Sequence, residues 1–185
     1  MRAKRYLPML ALLTVLFLAA APAPAADIPF FKSWGISTYI NQDSDIGDGD
    51  LYSAGVLLHL AAPLFAQPGT RLDFRLEGLF GSFWDYGSGV EVGLIPGLRL
   101  YLGQGDIKPY LEGGIGPSYN SLNIKELGTN FNFLSYGGLG LSFALDKSTS
   151  LEAGYRLRHI SNAGASERNH GVTANQLQIG LSFAF

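Results

Sequence analysis

The sequence of 185 residues has no cysteine, three histidines and, beyond residue 26, no long apolar run. The lack of cysteine excludes disulfides, a thiol nucleophile and a cysteine-based metal site. A membrane helix needs about 18 consecutive apolar residues, so we expect none after residue 26. No stretch resembles a phosphate loop, a dinucleotide fingerprint or a zinc-binding pattern, so we predict no cofactor and no metal. His59, His159 and His170 leave a three-histidine metal site open in principle only.

The first 26 residues have the pattern of a secretory signal peptide. Arg2, Lys4 and Arg5 precede an apolar run over 7–21, and small residues at 23–26 offer a cleavage site. Residues 27–185 would then form one domain. Removal of the three basic residues leaves 10 Lys and Arg against 15 Asp and Glu, a net charge of about −5. This balance argues against nucleic acid as a partner.

The exported part of the chain is rich in glycine and aromatic residues. The whole sequence contains 24 glycines, 12 phenylalanines and 9 tyrosines, without helical periodicity. These features predict an all-β chain. The bacterial outer membrane is the expected location of such an exported chain, because closed barrels there satisfy every backbone polar group.

Eight strand-like stretches indicate an eight-stranded antiparallel transmembrane β-barrel of the outer-membrane type. We predict turns with proline at 63–70 and a bulge or local break at Pro96. The predicted strands are 34–41, 51–61, 71–84, 89–102, 108–119, 132–144, 149–162 and 173–185.

Alternation along the strands separates charges from apolar residues. In the third strand Arg71, Asp73, Arg75 and Glu77 share one face, opposite an apolar face. Mixed charges inside and leucines outside fit a small, filled membrane barrel, which would not be a pore. A soluble lipocalin-like barrel would reverse the two faces, and alternation alone does not give their direction. The last strand ends on Phe185, which resembles the terminal aromatic residue that the barrel-assembly machinery recognises in many outer-membrane proteins.

The seventh strand carries the candidate chemistry. His159 and Ser161 are two residues apart, so they share a face with an apolar stripe, whereas Arg156 and Arg158 point the other way. A histidine can accept the proton of a serine hydroxyl that attacks an acyl carbonyl. Asn162 and the backbone up to Gly164 offer N–H donors for an oxyanion. On a lipid-facing wall, the substrate of such a pair would be a membrane lipid.

Residues 159–164 (HISNAG) and 169–171 (NHG) resemble the signature of the PagL family, the outer-membrane lipid A 3-O-deacylases. Residues 106–116 also resemble that family's fifth-strand segment. The resemblance implies a serine esterase on the outer wall of an eight-stranded barrel that removes the ester-linked 3-position acyl chain of lipid A. His159 would be the base and Ser161 the nucleophile, with Asn162 and Gly164 at the oxyanion.

One position departs from the family pattern. Thr173 stands where the family has the acid that orients the histidine, and a hairpin centred near Ser166 would place it opposite His159. A threonine can hydrogen-bond the histidine but cannot stabilise an imidazolium as a carboxylate would. Glu167 is a substitute acid, or alternatively an ordinary solvated loop charge. A dyad of reduced activity or an inactive site is the remaining hypothesis.

The expected partners are lipid A or lipopolysaccharide, the outer-membrane bilayer and the barrel-assembly machinery, and a homodimer is left open. The main alternative is a non-enzymatic small barrel for structure or adhesion, in which His159 and Ser161 are incidental. A phospholipase would use the same chemistry on a different ester.

Overall fold

The computed structural model describes residues 30–43, 50–122 and 124–185, which form a closed antiparallel barrel of eight strands in sequential order. The barrel closes where the first strand pairs with the last. The segment predicted as a signal peptide, 1–26, lies outside these residues. No helix in the described part is long and apolar enough to cross a membrane. The strands are β1 Ser33–Asp43, β2 Leu51–Gln67, β3 Thr70–Asp85, β4 Gly89–Leu102, β5 Ile107–Asn120, β6 Phe131–Ala144, β7 Thr149–Ser161 and β8 Val172–Ala184.

The barrel turns its charges inward and its leucines outward, which confirms the membrane interpretation of the alternation. Arg75, Arg99 and Arg156 are buried inside the barrel, whereas Leu98, Leu139 and other large apolar side chains are exposed outside. A side-chain period of two on every strand produces both faces at once. The outward apolar face is the one that a barrel of this type presents to lipid.

An ion-pair network fills the interior on the side of the short turns. Glu112 binds both Arg99 and Arg156, at 2.8 Å each, and Arg156 also binds Glu77 at 2.7 Å. Arg99 lies over the Tyr110 ring, with its guanidinium carbon 3.9 Å from the ring centroid. Buried charges persist when they are paired and hydrogen-bonded in this way. The filled interior fits the prediction that the barrel is not a pore.

The interior near the long loops combines the buried Glu91–Arg158 pair, at 2.6 Å, with an apolar cluster. Leu127, from the loop after β5, packs into a cluster with Leu134, Ile160 and Val172, which belong to β6, β7 and β8. All four side chains are buried. This cluster lies behind the outward-facing end of β7 and supports the strands from inside.

Two proline segments differ from expectation in detail. The predicted turn over 63–70 is mostly strand, because β2 continues to Gln67 and only Pro68 and Gly69 form the turn. Pro63 is tolerated because β2 has no β1 partner beyond Ala61 and a register shift falls between Pro63 and Phe65. At Pro96 the β4–β5 ladder is interrupted between the pairs at 93 and 97 without a change of register, which is the expected local break.

Connections of unequal length separate the two ends of the barrel. Segments 68–69, 103–106 and 145–148 are short turns at one end, while 44–50, 86–88, 121–130 and 162–171 connect strands at the other. In the last short turn Asp146 accepts hydrogen bonds from Ser148 and Thr149, which lower the pKa of its carboxyl group. Longer connections are extracellular in barrels of this type, so β7 ends in the outer leaflet.

Candidate active site

The hairpin of β7 and β8 brings His159 and Thr173 together on the outer wall. The two residues are direct cross-strand partners, as the hairpin geometry predicts. Nδ1 of His159 lies 2.9 Å from Oγ1 of Thr173, within hydrogen-bond distance. Both side chains are half-buried on a face that otherwise carries exposed leucines such as Leu157 and Leu177. Thr173, the position predicted to orient the histidine, is therefore in contact with the candidate base.

Ser161 lies two residues further along β7, on the same outward face as His159 and half-buried like it. Among the residues that the structure describes, its hydroxyl makes no hydrogen bond to the imidazole. Catalytic hydrogen bonds in substrate-free enzymes are often long or poorly aligned and shorten when substrate binds. Ser161 and His159 thus lie on one face and close together in sequence, but no hydrogen bond connects their side chains in this structure.

Threonine allows the histidine two tautomers, whereas a carboxylate would allow one. Ionised Asp and Glu only accept hydrogen bonds, so they hold Nδ1 protonated and leave Nε2 free to accept a proton. The Thr173 hydroxyl can either accept from Nδ1–H or donate to a bare Nδ1. Only the first arrangement leaves Nε2 of His159 able to act as a base.

Gly171 holds the imidazole from the other side. Its φ is +74°, and a Cβ added there would overlap Cε1 and Nε2 of His159. Glycine is the residue that adopts this φ without strain and lets the backbone approach the ring edge. Gly171 is part of the NHG pattern at 169–171, but the sequence alone does not predict its contact with His159. That contact depends on how the loop 162–171 enters β8.

Asn162 fastens the site to the neighbouring loop. Its Nδ2 donates to the carbonyls of Leu127 and Arg168 at 2.8 Å each, and its Oδ1 accepts from the N–H of Gly164 at 2.9 Å. Its own N–H donates to Oδ1 of Asn169 at 2.9 Å. Asn162 is 2% exposed. The amide predicted to face an oxyanion therefore binds the loops in this structure, and the N–H of Gly164 is held by that amide.

The remaining candidates lie apart from the His159–Thr173 pair. Glu167 is exposed in the hairpin loop, and within the described ranges it makes no hydrogen bond to His159. His59 is buried inside the barrel and His170 is exposed in the loop. In the described part of the chain, no three His, Cys, Asp or Glu side chains are grouped to hold a metal ion.

Ser135 is a polar neighbour that the sequence did not single out. It is the cross-strand partner of His159 on β6 and is half-buried on the same outer wall. A serine in a glycine-rich strand carries no signal by itself, and only the β6–β7 register reveals the pairing.

Comparison with known proteins identifies the family of the chain. The family model described as "Lipid A 3-O-deacylase (PagL)" matches residues 50–182, a range that includes His159, Ser161 and Thr173. The chain is 33% identical over 113 residues to the lipid A deacylase PagL of Pseudomonas aeruginosa, an alignment that covers 56% of this chain and 63% of that protein. It is 34% identical over 122 residues to the lipid A deacylase PagL of Bordetella bronchiseptica, with 61% and 64% covered.

The alignments thus span less than two thirds of the length of these curated relatives. The structural similarity covers more of the chain than the sequence similarity does. The crystal structure of the outer-membrane enzyme PagL superposes with a TM-score of 0.67 at 22% identity, covering 82% of this chain and 99% of that one.

Proposed function

Because the chain belongs to the PagL family of lipid A 3-O-deacylases, we propose that it is an ester hydrolase of the bacterial outer membrane that removes the 3-position acyl chain of lipid A. The observation that carries the proposal is the His159–Thr173 contact on the lipid-facing wall. It lies at the end of β7 that reaches the outer leaflet, where lipid A is anchored. The substrate can thus approach sideways from the membrane without entering the filled barrel.

The proposed reaction uses a covalent intermediate. Oγ of Ser161 attacks the ester carbonyl while Nε2 of His159 accepts the serine proton. The histidine returns this proton to the departing sugar hydroxyl, and the acyl group stays on Ser161. Water, deprotonated by the same histidine, then releases the acyl chain as a fatty acid and restores the serine.

Thr173 takes the orienting position in this proposal. When its hydroxyl accepts from Nδ1–H, it selects the tautomer whose Nε2 can act as the base. A neutral hydrogen bond stabilises the imidazolium less than a carboxylate does, so we expect the site to be active and slow. Glu167 has no role here, because it lies exposed in the loop.

The oxyanion is assigned to the backbone turn 162–164 that follows the nucleophile. Ala163 and Gly164 have φ values of +53° and +84°, an unusual pair that turns the chain sharply after Ser161. Asn162 holds this turn through its side chain, and the N–H of Gly164 would exchange its amide partner for the oxyanion. N–H groups fixed before the reaction are what stabilises a developing oxyanion.

The test uses purified protein in detergent micelles with lipid A as substrate. We expect the wild type to release one fatty acid per lipid A, and Ser161→Ala and His159→Ala to lower the rate at least about a thousandfold. Heat-modifiable gel mobility shows whether each variant is folded. Release of the same acid by folded Ser161→Ala would overturn the assignment, and release from phospholipid alone would indicate a phospholipase.

A further inference from the structure

A row of outward-facing polar side chains leads away from the site across three strand pairings. Asn175 on β8 is the cross-strand partner of Gln42 on β1, Gln42 is the partner of Tyr52 on β2, and Tyr52 is the partner of Trp84 on β3. Asn175 lies two residues after Thr173 on the same face, so the row begins beside the catalytic pair. We call these four residues the polar strip.

Side-chain contacts connect members of the polar strip with one another and with Tyr155 on β7. The hydroxyl of Tyr155 donates to Oδ1 of Asn175 at 2.5 Å, and Nε2 of Gln42 donates to the hydroxyl of Tyr52 at 3.4 Å. The rings of Tyr52 and Trp84 stack with centroids 6.2 Å apart and planes 16° apart. Asn175 and Gln42 are exposed. Within the described residues no acceptor takes the Nδ2 hydrogens of Asn175, which therefore remain available to a ligand.

Amides on this wall need an explanation beyond an ordinary aromatic girdle. Tyrosine and tryptophan are common at both interfaces of a membrane barrel, but an exposed amide against lipid is costly. On the opposite wall, β4 shows the ordinary pattern, because its outward positions near the loop are apolar, as at Val90 and Val92. The exposed amides stand on β8 and β1, beside His159 and Thr173.

We propose that the polar strip binds the amino-sugar headgroup of the lipid whose ester is presented to Ser161. Amide groups hydrogen-bond sugar hydroxyl and amide groups, and a stacked aromatic pair offers a flat face to a sugar ring. Three inter-strand spacings give the strip a length of roughly 14 Å, enough for a two-ring headgroup. This inference rests on the proposed function and identifies the part of the substrate that the catalytic pair does not touch.

The first test compares lipid A with a short-chain ester that has no sugar. In Gln42→Ala and in Tyr52→Leu we expect the preference for lipid A, as the ratio of kcat/KM values, to fall about five- to tenfold through a higher KM for lipid A. Tyr119→Leu is the matched control, because Tyr119 is also outward-facing near a loop and accepts an amide hydrogen bond, at 3.4 Å from Asn130. We expect its ratio to equal that of the wild type.

If the ratio of kcat/KM values is unchanged in both Gln42→Ala and Tyr52→Leu, the headgroup site is overturned, whereas the proposed hydrolase activity is not.

If the wild type cleaves neither ester, the proposed function fails, and a binding experiment then tests separately whether the polar strip binds the headgroup. Trp34 and Trp84 are the two tryptophans, so Trp34→Phe combined with Ser161→Ala leaves Trp84 as the reporter. We expect its fluorescence to change saturably with lipid A and not with phosphatidylethanolamine. An equal response to both lipids would show a membrane girdle and overturn the proposal.

Discussion

In the proposed mechanism, Thr173 is the residue that orients the catalytic base His159. It is placed correctly, as the cross-strand partner of His159 with 2.9 Å between Oγ1 and Nδ1, but its hydroxyl is neutral. A hydrogen bond to an ionised group contributes about 1 kcal/mol more than a neutral one. A carboxylate at this position would also fix the tautomer of the histidine.

We therefore predict that Thr173→Glu raises kcat about tenfold, because it selects the basic Nε2 and stabilises the imidazolium. Thr173→Gln is the matched control, since it has the same size and no charge. Thr173→Val, which removes the hydroxyl, should lower kcat about five- to tenfold. Initial rates with lipid A in micelles measure all three. Equal rates for the Glu and Gln variants would show that residue 173 does not orient the base.

Gly171 offers a second test at the scale of single residues. Gly171→Ala places a methyl group against Cε1 and Nε2 of His159 and strains a backbone at φ +74°. We expect kcat to fall at least about tenfold with the barrel still folded. Gly103→Ala, at φ +86° in a turn at the other end of the barrel and with no heavy atom within 4 Å of the added Cβ, has the backbone strain without the collision with the ring. An equal fall in kcat in both variants would show that the contact of Gly171 with the His159 ring has no special role.

At the scale of elements, the site depends on two loops held by one side chain. Asn162 joins the hairpin loop 162–171 to the loop 121–130 through the carbonyl of Leu127, and the N–H of Gly171 donates to the backbone carbonyl of Glu126 at 3.1 Å. Beneath this junction, Ile160 and Val172 are almost completely buried. The loop and the hairpin should therefore open together.

We expect Asn162→Ala to speed hydrogen exchange in 121–130 and 162–171 about 150-fold, since its three side-chain hydrogen bonds are together worth about 3 kcal/mol. Activity should fall in the same variant. Asn130→Ala is the control, because Asn130 lies in the same loop but donates to Tyr119 on β5 instead. If Asn162→Ala loses activity while exchange stays at the wild-type rate, the amide acts directly on the oxyanion and not as a clamp.

The strands could largely be predicted from the sequence, whereas the contacts by which Asn162 joins the two loops could not. A period of two along β3 and β8 gives faces and approximate ends from local sequence alone, and β4 begins and ends where predicted. The hairpin register followed from counting around Ser166. One partner of Asn162, the carbonyl of Leu127, comes from a loop about 35 residues away. The pairing of β2 near Pro63 depends on where β1 begins. Such long-range contacts leave no periodic pattern in the sequence.

For the whole molecule, stability should depend on the buried ion-pair network more than on any surface pair. Glu112 is held by Arg99, Arg156 and Gln178. Glu112→Gln leaves two buried guanidinium groups with less compensation, which costs about 3–5 kcal/mol. We expect a clearly lower urea midpoint and a lower temperature for the heat-modifiable gel shift.

Asp73→Asn is the control for that substitution. Asp73 is buried, but its partner Arg71 has a side chain that is 45% exposed and can be solvated by water, so the loss should cost less than at Glu112, about 1–2 kcal/mol. Equal shifts for both variants would mean that the network does not stabilise the barrel as a unit. Recognition of Phe185 by the assembly machinery and self-association of the barrel stay predictions from the sequence.

The most direct test of the central claim is mass spectrometry of lipid A from an outer membrane that contains this protein, beside one that contains Ser161→Ala. The account predicts lipid A lighter by one ester-linked acyl chain with the wild type, and unchanged lipid A with the variant. Unchanged lipid A in both, with both proteins folded by gel mobility, would contradict the hydrolase and favour a non-enzymatic barrel in which Thr173 marks a lost site.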